Sequence, residues 1–106
     1  MTIIKIVRNE QSIVEVEVKG HSGYAKHGQD IVCAAISALT QTALLGLIKH
    51  VKLQVEHEVA AEEYLRFSLR GQENEQTDAI LETMLYGLQE IADAYHKYVR
   101  IEDSRR

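Results

Sequence analysis

The sequence predicts an α+β fold, a two-layer sandwich in which two helices pack on a mostly antiparallel sheet. Two patterns predict it. Short runs alternate apolar and polar residues, as half-buried strands do, and two longer segments repeat their apolar residues at helical spacing. Along the chain these patterns give the order β-β-α-β-β-α-β. Hairpins imply antiparallel pairing, and two amphipathic helices imply a layer packed on the sheet. At 106 residues the chain fits a single domain spanning residues 1–106.

Residues 2–7 are rich in Ile and Val and read as a strand. In residues 13–19, Val14, Val16 and Val18 fall on one face and Glu15, Glu17 and Lys19 on the other. The polar stretch from Arg8 to Ser12 suits a short hairpin connection. A loop follows from Gly20 to Gln29, where Gly20, Gly23 and Gly28 disfavour regular structure. Asp30 then opens a helix running to about Lys49. Its carboxylate can cap the helix by accepting from an N–H two or three residues on, the latter being that of Cys33. Within this helix Ile31, Ala35, Ala38, Leu39, Thr42 and Leu45 form a stripe, widened by Ala34, Leu44 and Leu47.

Two further strands are expected. Val51, Leu53 and Val55 alternate with Lys52, Gln54 and Glu56, and Leu65, Phe67 and Leu69 alternate with Tyr64, Arg66 and Ser68, with the connection near Ala60 to Glu63. A second helix, about Glu75 to His96, presents Ile80, Leu81, Met84, Leu85, Leu88, Ile91, Ala92 and Tyr95 as one stripe. Val99 and Ile101, alternating with Arg100 and Glu102, make a short last strand. The polar alternate positions leave the second sheet face wet or used for association.

A composition of 45% apolar and 26% charged residues is ordinary for a globular protein. No apolar run approaches the ~20 residues of a membrane span, so no membrane is expected. The start, Met1-Thr2-Ile3-Ile4-Lys5, lacks the layout of a secretory signal, and a single cysteine suits a reducing compartment, so the expected location is cytoplasmic. The net charge of −4, with basic residues scattered apart from Arg105-Arg106, argues against direct nucleic-acid binding.

The chemistry lies in the segment from Gly20 to Leu39, GHSGYAKHGQDIVCAAISAL. Cys33 sits in the first turn after Asp30, where the positive helix end favours a thiolate. That effect alone shifts a thiol by less than about one or two units, so activation needs an imidazole, and His21 and His27 both precede the helix. The alternative is a small buried core cysteine among Val32, Ala34 and Ala35. Ser37, one turn beyond Cys33, either bonds within the site or fills a helix interface. Asp30 either caps the helix or also orients a histidine. Backbone N–H groups at the helix start, that of Cys33 included, are candidate oxyanion donors. Gly20, Gly23 and Gly28 would let the loop cover a peptide and reopen. A metal reading of His21, His27, Asp30 and Cys33 lacks the compact ligand pair of a zinc site, and no metal or cofactor is expected.

This segment closely resembles the signature of the ribosomal-processing cysteine protease family, Prp. In outline that signature is a Gly-His-Ala-like start, a variable glycine-containing loop, then Gly-x-Asp-Ile-Val-Cys-Ala and a serine four residues past the cysteine. Gly20-His21, Gly28, Asp30-Ile31-Val32-Cys33-Ala34 and Ser37 match it, and Ser22 stands where alanine is usual, a small-for-small change. The likeness extends over the whole chain, through Met84-Leu85 and Val99-Arg100-Ile101.

The resemblance implies a cysteine endopeptidase that removes the short N-terminal extension of large-subunit ribosomal protein number 27, cutting just after an aromatic residue so that the mature protein can join the ribosome. It carries the nucleophile onto Cys33 and its histidine onto His21, with Asp30 and Ser37 in support, and it implies a homodimer. A reading from a different class is a non-catalytic ribosome-assembly module that binds a protein partner through its sheet edge. A thiol redox sensor is a third, weakened because no second cysteine is present to resolve a sulfenic acid.

Overall fold

Every strand-forming segment but one lies where the alternation predicts. The computed structural model describes residues 1–26, 28–60 and 64–105, so His27 and most of the expected connection between the third and fourth strands lie outside the described residues. The elements are β1 (Thr2–Asn9), β2 (Ser12–Lys19), α1 (Ile31–Lys49), β3 (Glu56–Ala60), β4 (Tyr64–Ser68), α2 (Glu75–Ala94) and β5 (Val99–Arg105). They form one five-stranded sheet in the order β3-β4-β2-β1-β5. The neighbouring pairs are antiparallel except β1 and β5, which run parallel. Parallel neighbours require a crossover, and α2 supplies it, carrying the chain from β4 over β2 and β1 to the far edge. The sheet is therefore mixed, though mostly antiparallel.

One row of side chains explains where the site sits. Register places Ile101, Ile4, Val18, Leu65 and Val59 side by side across the sheet. Ile4 in this row is fully buried and Leu65 nearly so, while Val18 between them is half-buried. At the β3 edge the cover ends, and Val59 is 47% exposed. The opposite face is wet. There Arg66 pairs with Glu15 at 2.9 Å and with Glu56 at 3.2 Å, and the Tyr64 hydroxyl donates to Glu17 at 3.1 Å.

The expected strand over residues 51–55 is corrected. Those residues are irregular chain leaving the end of α1: the N–H groups of His50 and Val51 both donate to Gly46 O, and that of Leu53 donates to Leu47 O, each at 3.0 Å. Lys52 takes the left-handed conformation that turns the chain, with φ of 65°. Leu53 and Val55 still pack against the core, so apolar residues alternate here without a strand. The real strand, Glu56–Ala60, is exposed at every position because it is a sheet edge, and so it shows no alternation.

The expected stripe on α1 is corrected too. The buried residues are Val32, Ile36, Thr40, Ala43, Leu44 and Leu47, while Ile31 is 57% and Leu45 49% exposed. The helix carries no charge before Lys49, so its pattern does not select a face; packing does. At 19 residues it is also long and apolar enough for a membrane span by length and composition, contrary to the expectation from run lengths. Here it lies against the sheet and α2, where a Cβ on Gly87 would meet Leu39 Cδ1 at 2.9 Å. The stripe on α2 is as expected, with Leu81, Met84, Leu85 and Leu88 buried. Its start is a capping box: Asn74 accepts from the N–H groups of Gln76 and Thr77, and Thr77 Oγ1 accepts from Asn74 N.

Candidate active site

Asp30 sits in extended backbone at the head of α1, and its Oδ1 accepts from Cys33 N at 2.9 Å. This cap fixes Cys33 in the first helical turn. The other oxygen faces the histidine loop. Oδ2 accepts from Ser22 Oγ at 2.5 Å and from Tyr24 N at 3.2 Å, and it lies 3.7 Å from His21 Nδ1. Asp30 therefore caps the helix and also faces the histidine. Burial pushes its carboxyl pKa up. The hydroxyl of Ser22, the N–H groups of Cys33 and Ala25, and the charge His21 can carry outweigh that, and hold it at about 2. At neutral pH it is an anion.

A ring nitrogen of His21, a carboxylate oxygen of Asp30 and Cys33 Sγ lie within 4.8 Å of one another. His21 Nδ1 accepts from Gly23 N at 3.1 Å, which puts the proton of the neutral ring on Nε2. Ser22 N donates to Cys33 Sγ at 3.3 Å. The sulfur thus lies at the helix start, takes an N–H donor from the loop, and has an imidazole and a carboxylate close by. The same three side chains could in principle gather a metal, but both Asp30 oxygens already accept hydrogen bonds from the protein.

The cluster closes one end of a cleft of about 330 Å³. Ser37, Thr40 and Gln41 continue one wall along α1; Val18, Leu65 and Val59, the open end of the sheet row, give an apolar floor. Ser37 lines the cleft, one turn from Cys33. Gly28 lines the cleft as well. Gly20 has a different reason to be glycine: its φ is 92°, and a Cβ there would stand 2.6 Å from Met1 O. Gly23, with φ of 77°, has open space around it.

One expectation fails in detail. The N–H of Cys33 is occupied by Asp30 Oδ1 and is not aimed at an oxyanion. Sequence reasoning also misses two parts of the site. Ser22 is buried with its hydroxyl on Asp30, a partner eight residues away that only the folded loop brings near. Tyr24 packs edge-on against Tyr95 and Tyr98, with ring centroids 5.3 and 5.5 Å apart, and so anchors the histidine loop to the end of α2.

A cysteine at a capped helix start, an imidazole beside it and a cleft leading away form the geometry expected of a thiol peptidase. A model of the family described as cysteine protease Prp matches residues 1–100. The chain belongs to the Prp cysteine protease family. It is 28% identical over 106 residues to the ribosomal processing cysteine protease Prp of Staphylococcus aureus, a match covering 95% of this chain and 96% of that one. It is 26% identical over 98 residues, 88% of each chain, to the protein of the same name from Bacillus subtilis. A crystal structure of the essential ribosomal processing protease Prp from S. aureus, in complex with a covalently linked product peptide, superposes with a TM-score of 0.90. That match is 25% identical and covers 97% of this chain and 99% of the other. Family and fold are thus those the signature from Gly20 to Ser37 implies.

Proposed function

We propose that this Prp-family chain is a Cys33–His21 endopeptidase that removes the N-terminal extension of large-subunit ribosomal protein number 27. The observation that carries the reading is the gathering of Cys33, His21 and Asp30 at the end of a peptide-sized cleft. The names of its relatives, which are ribosomal processing proteases, support the substrate class. The peptide bound to the S. aureus protein supports a peptide in the cleft.

In the mechanism His21 takes the thiol proton and Cys33 Sγ attacks the scissile carbonyl carbon. The positive end of α1 stabilises the tetrahedral oxyanion. The C–N bond breaks as His21 returns the proton to the leaving amine, and water then hydrolyses the thioester. Asp30 faces His21 Nδ1 at 3.7 Å and orients the ring, and Ser37 and the loop carrying Gly20, Gly23 and Gly28 enclose the substrate chain. The same reading places the activity in the cytoplasm, with no cofactor. It also makes the working form a homodimer: the outward side of α1, with Ile31, Ala38 and Leu45 and no charge, is the surface a second copy would cover.

The experiment incubates the pure protein with the extended ribosomal protein beside Cys33→Ala and His21→Ala variants. Trimming by the wild type and by neither variant is the expected result. Equal trimming by Cys33→Ala would overturn the reading, and no trimming by any form would leave the binding module.

A further inference from the structure

Three hydrogen bonds close a ring between the histidine loop and α1. Ser22 Oγ donates to Asp30 Oδ2, Cys33 N donates to Asp30 Oδ1, and Ser22 N donates to Cys33 Sγ. The Ser22 hydroxyl also accepts from Tyr24 N at 3.2 Å, so it acts as both donor and acceptor in a residue only 3% exposed. A single residue thereby touches the carboxylate with its side chain and the sulfur with its backbone. Ring closure leaves little freedom: with the hydroxyl clipped to Asp30, the N–H of residue 22 points at the sulfur.

We propose that Ser22 is a positioning residue, whose hydroxyl clamps the loop to Asp30 and so aims its own N–H at the Cys33 sulfur, assembling an activated thiol before any substrate arrives. This rests on Cys33 being the nucleophile. The charges facing the sulfur explain why the clamp matters. His21 and Asp30 come from the loop and the helix head; Tyr64 on β4 borders the cleft, but its hydroxyl is turned to Glu17 on the other sheet face. An Asp30 anion beside a thiolate is a like charge and opposes it. Ser22 offsets that opposition twice, by engaging the carboxylate oxygen with its hydroxyl and by donating an N–H to the sulfur.

The test is alkylation of Cys33 by iodoacetamide from pH 5 to 10 in the full chain, wild type against Ser22→Ala, with no peptide present. At pH 7 the variant should react about three- to tenfold more slowly, the value of one ordinary hydrogen bond. At pH 10, where an ordinary thiol is ionised, the two should react alike. Superimposable profiles overturn the proposal. So does an equal loss at every pH, which would mean altered access alone. A second measurement needs no Ser22 variant: the Ser22 amide proton of the wild type should shift with pH in step with the alkylation profile and lose that response in Cys33→Ala. An amide shift indifferent to Cys33 also overturns it. Because neither measurement uses the ribosomal substrate, failure of the trimming assay and failure of the Ser22 clamp are separately visible.

Discussion

The carboxylate of Asp30 holds the backbone N–H of Cys33 at 2.9 Å, so the residue that starts α1 also fixes the place of the sulfur. The same carboxylate takes the loop on its other oxygen. Helix start and histidine loop are therefore one unit.

Replacing Asp30 should separate its two tasks. Asp30→Ala removes the cap, worth about 1 kcal/mol, and strands the buried donors of Ser22 and Cys33 at a further cost of about 1–3 kcal/mol. Asp30→Asn keeps an oxygen for Cys33 N and loses the charge facing His21. Urea unfolding should show Asn as the milder change. Peptide cleavage should fall in both variants.

The depressed carboxyl of Asp30 predicts an acid limb in stability. Its ordinary value is 3.8 and its folded value about 2. The native state favours the anion, so the contribution is fully present above pH 3.8 and is lost as pH falls through about 2. It amounts to about 2 kcal/mol. The gap in unfolding free energy between wild type and Asp30→Asn should be constant from pH 5 to 7. It should narrow by about that amount below pH 2; a gap that stays constant down to pH 2 contradicts the assignment.

Arg8 ties three elements together. Its guanidinium donates to Glu82 on α2 at 2.7 Å and to Asp103 on β5 at 3.1 Å, and its side chain is 13% exposed. Arg8→Ala should lower stability by about 1–2 kcal/mol, with the acidic partners partly hydrated afterwards. The site lies elsewhere, so the rate of Cys33 alkylation should not change.

Gly20 and Gly23 should respond unequally to alanine. Both adopt positive φ, which costs about 1–2 kcal/mol for a residue with a Cβ. At Gly23 that is the whole cost, since the space is open. At Gly20 the added carbon also meets the carbonyl oxygen of Met1, a backbone atom, and the expected loss is about 3 kcal/mol. Thermal unfolding of the two variants measures the difference.

How much the sequence discloses depends on whether a residue's partner is local. Asp30 and Cys33 are three residues apart, so their cap is legible from the chain. The alternation in Val14, Val16 and Val18 is legible because that strand has one wet face. The strand Glu56–Ala60 is not, since an edge exposed at every residue carries no periodic signal. The buried face of α1 is not legible either, because an uncharged helix looks alike from all sides. Ser22 is the telling case. As a small residue for a small residue it reads as neutral, and only the folded loop reveals a hydroxyl on Asp30 and an N–H on Cys33.

The parallel pairing of β5 with β1 has a consequence for how the chain is made. Arg8 and Asp103, joined across these strands, are 95 residues apart in sequence. During synthesis β1 emerges first and waits almost the whole length of translation for the neighbour that covers its outer edge. A high contact order of this kind slows folding and leaves one edge of an apolar strand, Ile3-Ile4-Lys5-Ile6-Val7, open to other nascent chains in the interval. Truncations that end before Val99 should therefore accumulate as aggregates, whereas changes confined to the cleft should leave yield intact.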